Sequence, residues 1–289
     1  MALSTVTVTI NGSTYNLTKG SGNTWTATLT APGSTSFNLA NGVYPVTVTA
    51  TNTAGTTVSD SSYGLRVKET VPPVITISSP TSGARVTNNR QPVVFTVVDE
   101  AGGSGVDISS LVVNVDGTAV TSGVVTTAIT NGYSVTYTPA SALADGSHTV
   151  TVNCSDNDGN AATEKSTQFV IDTIAPTLNV TSPQNNSITN KAACVVSGTT
   201  NDATSSPVTL TVNGSAVTVG ANGAFSTTIT LAEGVNTITI VSTDSAGKST
   251  TVTRTVTLDT SAPVISSISI APNPANTGES MVVTVVITG

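Results

Sequence analysis

One pattern, used three times, constrains this chain more than any other feature: an alternating strand that ends on a two-residue Asn-Gly or Asp-Gly turn. The copies are Val8-Thr9-Ile10-Asn11-Gly12-Ser13, Val113-Asn114-Val115-Asp116-Gly117-Thr118 and Leu210-Thr211-Val212-Asn213-Gly214-Ser215. Two-residue hairpin turns need positive φ at both central positions, which Asn, Asp and Gly tolerate and branched residues do not. Alternation of apolar and polar residues places one face of each strand on a core and the other in water.

The rest of the repeat follows the same plan. A strand led by an aromatic comes next, at Trp25 (through Leu29), Tyr133 and Phe225. A glycine then opens the longest strand: Gly42-Val43-Tyr44-Pro45-Val46-Thr47-Val48, Gly146-Ser147-His148-Thr149-Val150-Thr151-Val152 and Gly234-Val235-Asn236-Thr237-Ile238-Thr239-Ile240. Each ends in a polar turn, Asn52-Thr53-Ala54-Gly55, Asp156-Asn157-Asp158-Gly159 or Asp244-Ser245-Ala246-Gly247, and a last strand leads to a joint. The joints Glu69-Thr70-Val71-Pro72-Pro73, Asp172-Thr173-Ile174-Ala175-Pro176 and Asp259-Thr260-Ser261-Ala262-Pro263 place Pro73, Pro176 and Pro263 103 and 87 residues apart. That is the size of one sandwich domain, and proline stiffens the connection. The fold class is therefore all-β: tandem immunoglobulin-like antiparallel β-sandwiches. The expected domains are 1–71, lacking the first two strands of a sandwich, 72–174, 175–261, and 262–289, which holds only those first two strands. The expected account is a longer parent protein truncated at residue 289, with a naturally small N-terminal domain. The sharper alternative gives the open edge of the first domain strands from a partner, in its most specific form the C-terminal strands of another copy.

Composition narrows function by exclusion. Nine Lys and Arg are scattered through 289 residues at pI near 4.4, so the clustered cations that neutralise nucleic-acid phosphates are missing. No apolar run reaches the ~20 residues of a membrane span. The N-terminus has neither a basic start nor an apolar segment, which fits a removed export signal or release within a particle assembled in the cytoplasm. Cys154 and Cys194 fall in different repeats, each in an apolar strand, and are expected as two buried free thiols.

Candidate chemistry is sparse. The lone His148 has no second His or Cys to make a zinc site or a triad and is expected at a strand corner. No phosphate loop or nucleophile elbow is present, and no serine has a general base, so no enzyme and no cofactor is expected. Asp156-Asn157-Asp158-Gly159-Asn160 resembles the start of a calcium loop, but its twelfth position is Thr167 where a glutamate would complete the pattern. A plain hairpin turn is the preferred reading. Asp99, Glu100 and Asp107 surround a glycine-rich loop, while Glu69, Asp172 and Asp259 mark the joints. The calcium candidates are thus Asp99, Asp107, Asp156, Asp158 and Asp172, with oxygen ligands from two domains clamping a joint.

The joint at Asp172–Pro176, the Gly42–Val48 strand and the Asp-x-x-Gly turns resemble bacterial and bacteriophage Ig-like domains over essentially the whole chain. The opening stretch through Val71-Pro72-Pro73-Val74-Ile75-Thr76-Ile77 is similar to Ig-like proteins encoded among phage tail genes. That resemblance implies a decorating component of a phage tail or tail-like particle, displayed on its surface. It implies partners among other particle proteins, reached through the N-terminal domain edge, and weak contact with host-surface glycans. A bacterial cell-surface adhesin or stalk, or an Ig-like spacer of a secreted glycan-active protein, is the alternative.

Overall fold

The computed structural model describes residues 2–289. The regular structure is strand apart from one 3-10 turn at Ala40–Gly42, and the chain divides into two compact units, Met1–Asp172 and Thr173–Gly289.

The first unit opens with β1 (Leu3–Ile10), β2 (Ser13–Asn16), β3 (Thr18–Lys19), β4 (Trp25–Thr26), β5 (Tyr44–Asn52) and β6 (Thr57–Leu65). They make one four-stranded sheet, ordered β2-β1-β5-β6, and a small β3–β4 hairpin. There follow β7 (Val74–Ser79), β8 (Ala84–Val86), β9 (Val93–Val98), β10 (Val106–Val115), β11 (Thr118–Ala119), β12 (Val124–Ile129), β13 (Gly132–Tyr137), β14 (Gly146–Asp156) and β15 (Lys165–Ile171). These form a complete sandwich of two sheets, β11-β10-β14-β15-β8 and β12-β13-β9-β7.

The second unit repeats that plan. Its strands are β16 (Thr177–Ser182), β17 (Ser187–Thr189), β18 (Ala193–Asn201), β19 (Thr209–Val212), β20 (Ser215–Val217), β21 (Ala224–Thr230), β22 (Gly234–Thr243) and β23 (Ser249–Leu258). They are ordered β17-β23-β22-β19-β20 in one sheet and β16-β18-β21 in the other. The hairpin of β24 (Val264–Ala271) and β25 (Val282–Thr288) ends the chain with its valines and isoleucines exposed.

The turns form as their chemistry dictates. Asn11, Asp116 and Asn213 have φ of 48–50°, and the glycines after them 74–81°, both positive as the primed hairpin turns require. Period-two patterning builds the cores. Val93, Phe95 and Val97 of β9 face inward at 0% exposure, as do Val150 and Val152 of β14, while the residues between them on β9 are half-buried. In the second unit Cys194 and Val196 of β18 belong to one buried cluster with Ile238 and Ile240 of β22. Both cysteines are free and buried.

Two features differ from the sequence expectation. The aromatic-led strands β13 and β21 each run six or seven residues, but β4 is only Trp25–Thr26. β13 is held by β9 and β21 by β18. The N-terminal segment has no such neighbour, so Ala27–Leu29 stays outside any strand. The short strands β8 and β17, which pair in parallel with β15 and β23, went unread because three residues cannot show a period.

Candidate metal centre at the first joint

The linker after β6 carries Glu69, and the loop after β9 carries Asp99, Glu100 and Gly103. One carboxylate oxygen from each of Glu69, Asp99 and Glu100 lies within 4.8 Å of the others. Asp99 is 3% exposed. Its Oδ2 accepts the Gly105 amide at 2.7 Å, and the Ser104 amide donates a short hydrogen bond to Glu69 Oε1. Asp99 Oδ1 and Glu69 Oε2 are left buried with no protein partner. Asp158, on the loop after β14, is 5% exposed; its Oδ2 accepts Thr35 Oγ1 at 2.5 Å and the Glu69 amide at 3.1 Å. Its Oδ1 is a third buried oxygen with no protein partner.

Buried acceptors left without donors are costly, and carboxylates more so than neutral groups. Among the described residues no Lys or Arg nitrogen lies within 4.0 Å of these carboxylates; the Lys68 ammonium instead donates to the Asp158 carbonyl oxygen at 2.7 Å. The crowding has a titration signature. The neighbouring Glu69 carboxyl, then burial and the nearby Asp99, push Glu100 up to about 7, as when two carboxyl groups compete for one proton. Gly103 makes the convergence sterically feasible. A Cβ there would stand 2.6 Å from Asp99 Oδ2, 2.8 Å from Glu69 Oε2 and 2.9 Å from Glu100 Oε1.

The donor set is all carboxylate oxygen, with no imidazole or thiolate. Such hard ligands suit calcium, which takes six to eight oxygens at about 2.3–2.6 Å, rather than zinc. The residues fit a calcium ion, with Glu69, Asp99 and Glu100 as its ligands and Asp158 beside them.

The same region ties the N-terminal segment to the sandwich. Asn38 Nδ2 donates to the Gly103 carbonyl oxygen at 2.6 Å, and Asn160 Nδ2 to that of Glu69 at 3.2 Å. Ser36, fully buried, donates to the Gly42 carbonyl oxygen at 2.8 Å and receives the Val67 amide at 2.9 Å.

Of the sequence candidates, the structure brings Asp99 together with the joint residue Glu69 and the loop residue Glu100, and sets Asp158 against the Glu69 amide. Asp107 does not join them; its Oδ1 is taken by the amide and hydroxyl of Ser109. Asp156 closes its own turn, accepting the Asn160 amide at 2.8 Å and side-chain nitrogen at 2.7 Å. Asp172 lies buried at the end of the first unit, its amide on the Val86 carbonyl oxygen. In the second unit Asp202 and Asp244 similarly bind the amides of their own turns. His148 sits at the entry to β14, bonded through Nδ1 to Asp116 at 2.7 Å and through Nε2 to the Ala144 carbonyl oxygen at 2.8 Å. Sequence reasoning missed Thr35, Ser36 and Asn38, which lie in a loop with no period to mark them.

Residues 75–173 match a family described as bacterial Ig-like domain, and residues 176–260 match domain B of glucodextranase. Each stretch coincides with one sandwich. No curated protein matches the chain. Among solved structures, the fibronectin(III)-like modules of Clostridium thermocellum CbhA share 19% identity over 64% of this chain and 94% of theirs, at a TM-score of 0.39. A solved portion of a 1.5-MDa bacterial ice-binding adhesin shares 23% identity over 90% of this chain and 88% of the solved chain, at 0.31. A tetra-tandem repeat from the extending region of a large adhesion protein shares 21% over 99% and 80%, at 0.33.

Proposed function

We propose that the chain is a non-enzymatic spacer of Ig-like sandwiches in a surface-exposed assembly, with its first joint stiffened by calcium. The observation that carries this reading is the set of buried, partnerless carboxylate oxygens at the joint, contributed by linker and sandwich loops together. A bound ion would supply the missing positive charge and hold Glu69 of the linker against Asp99 and Glu100. The match of residues 75–173 to a bacterial Ig-like family supports an extracellular or surface setting.

The finer reading is a decorating component of a phage tail or tail-like particle, attached through the edge of the N-terminal domain and touching host glycans only weakly. Sequence resemblance and the half-covered sheet of that domain support it. The alternative is a bacterial cell-surface adhesin or stalk, or an Ig-like spacer of a secreted glycan-active protein; the match of residues 176–260 to glucodextranase domain B supports the latter form.

Calorimetric titration of the chelator-treated full chain with calcium tests the joint. One site whose heat disappears in Asp99→Asn is the expected result, with Asp107→Asn binding as the parent does. Heat that survives Asp99→Asn would remove the ion from this joint.

A further inference from the structure

We infer that the N-terminal segment is a dependent domain, held folded from its joint end by the loops of the neighbouring sandwich, and that calcium at the joint sets how firmly it is held. The inference rests on the calcium reading of Glu69, Asp99 and Glu100.

The segment has little core of its own. Among the described residues, Val6, Val8 and Tyr44 are the only buried apolar side chains of residues 2–71. Val46, Val48 and Ala50 of β5 occupy the positions that Val150, Val152 and Cys154 hold on β14. The β14 residues are 0–1% exposed, covered by the β7–β9 side of the sandwich, whereas those of β5 are only half-buried. On the face of the sheet that carries Val6 and Val8 lies a cavity of about 560 Å³, lined by Ile10, Tyr15, Ala27 and Leu29 among others. A single sheet with one face partly wet recovers little of the ordering entropy of its chain.

What the segment lacks in apolar packing it has at one end in polar ties. Ser36 joins the loop before β5 to the linker at Val67. Thr35 reaches Asp158, and Asn38 reaches the carbonyl oxygen of Gly103. Gly103 lies in the loop that carries Asp99 and Glu100, and Glu69 lies two residues beyond Val67. An ion drawing Glu69 toward Asp99 and Glu100 therefore fixes both anchors of the segment, the Gly103 loop and the linker. The coupling runs from ion to loop to Asn38, and from ion to linker to Ser36, ending on β5 and β6.

Hydrogen exchange on the full chain, with and without calcium and with magnesium as control, tests this. The expected result is that amides of β1 and β5 gain about tenfold or more in protection with calcium, a free-energy change read as local opening, while those of β22 do not change. Asn38→Ala leaves the ligands in place and should keep the calorimetric calcium signal while losing much of that gain. If calcium binds, as judged by heat lost in Asp99→Asn, yet β1 and β5 exchange at the same rate, the dependence is overturned and the calcium joint stands. If calcium does not bind at all, both fall.

Discussion

At the scale of single residues, Gly103 is the most constrained position at the joint. Its φ is not in the positive region, so alanine is acceptable to the backbone, and its effect is purely steric. Gly103→Ala should force three carboxylates apart and abolish calcium binding in calorimetry while leaving the far-ultraviolet circular dichroism unchanged. Gly198→Ala is a different case. Its Cβ would stand 2.1 Å from the Asn179 carbonyl oxygen and 2.9 Å from the Phe225 ring, a backbone clash that should cost about 1–3 kcal/mol in urea unfolding of the second unit. His148 carries a pH dependence. Burial disfavours its charged form, but the bonds to the Ala144 carbonyl and the Asp116 carboxylate outweigh that, so its pKa is raised above 6.5. The stabilisation is complete below 6.5 and is lost as pH rises through the folded value. Melting temperature should therefore fall slightly through neutral pH, and His148→Gln should flatten that profile. The corner role of His148 was legible from its place at a strand entry. Its partner Asp116 was legible only as a turn residue, because a turn aspartate and a histidine acceptor look alike until the strands pair.

At the scale of elements, alternation made the long strands readable and pairing decided which of them formed. The same aromatic-led pattern yields seven residues of β21 beside β18 but two of β4 where no such neighbour exists. Strand propensity is mostly fit to a neighbouring surface. The contrast between β9 and β5 gives a measurable consequence. Phe95→Ala removes a side chain with no exposed area and should cost about 3–5 kcal/mol. Val48→Ala, on a half-covered face, should cost under about 1 kcal/mol by the same urea measurement. An equal cost would mean that β5 is covered in solution by something else. The joint was only partly legible. Acidic residues near prolines flagged it, but nothing in the spacing could say that Asp107 and Asp156 bond within their own strands and turns while Glu69 and Glu100 converge.

At the scale of the whole molecule, chain order separates what calcium should affect from what it should not. Chelation is expected to lower the first unfolding transition and leave the second unit's unchanged, a difference that scanning calorimetry resolves. At a calcium concentration 100 times the dissociation constant, linkage gives about 2.7 kcal/mol. The chain's paucity of charge, 9% of residues, makes added monovalent salt a weak perturbation of either transition, so a calcium effect that potassium chloride reproduced would point to general screening. One further property follows from where the two cysteines lie. Cys154 is 1% exposed on β14 and Cys194 8% exposed on β18, each unpaired and with its thiol pKa raised by burial. Each thiol should react much faster once its own sandwich opens, so the chain has a chemical clock in each sandwich, timing the openings separately when the molecule is heated or pulled.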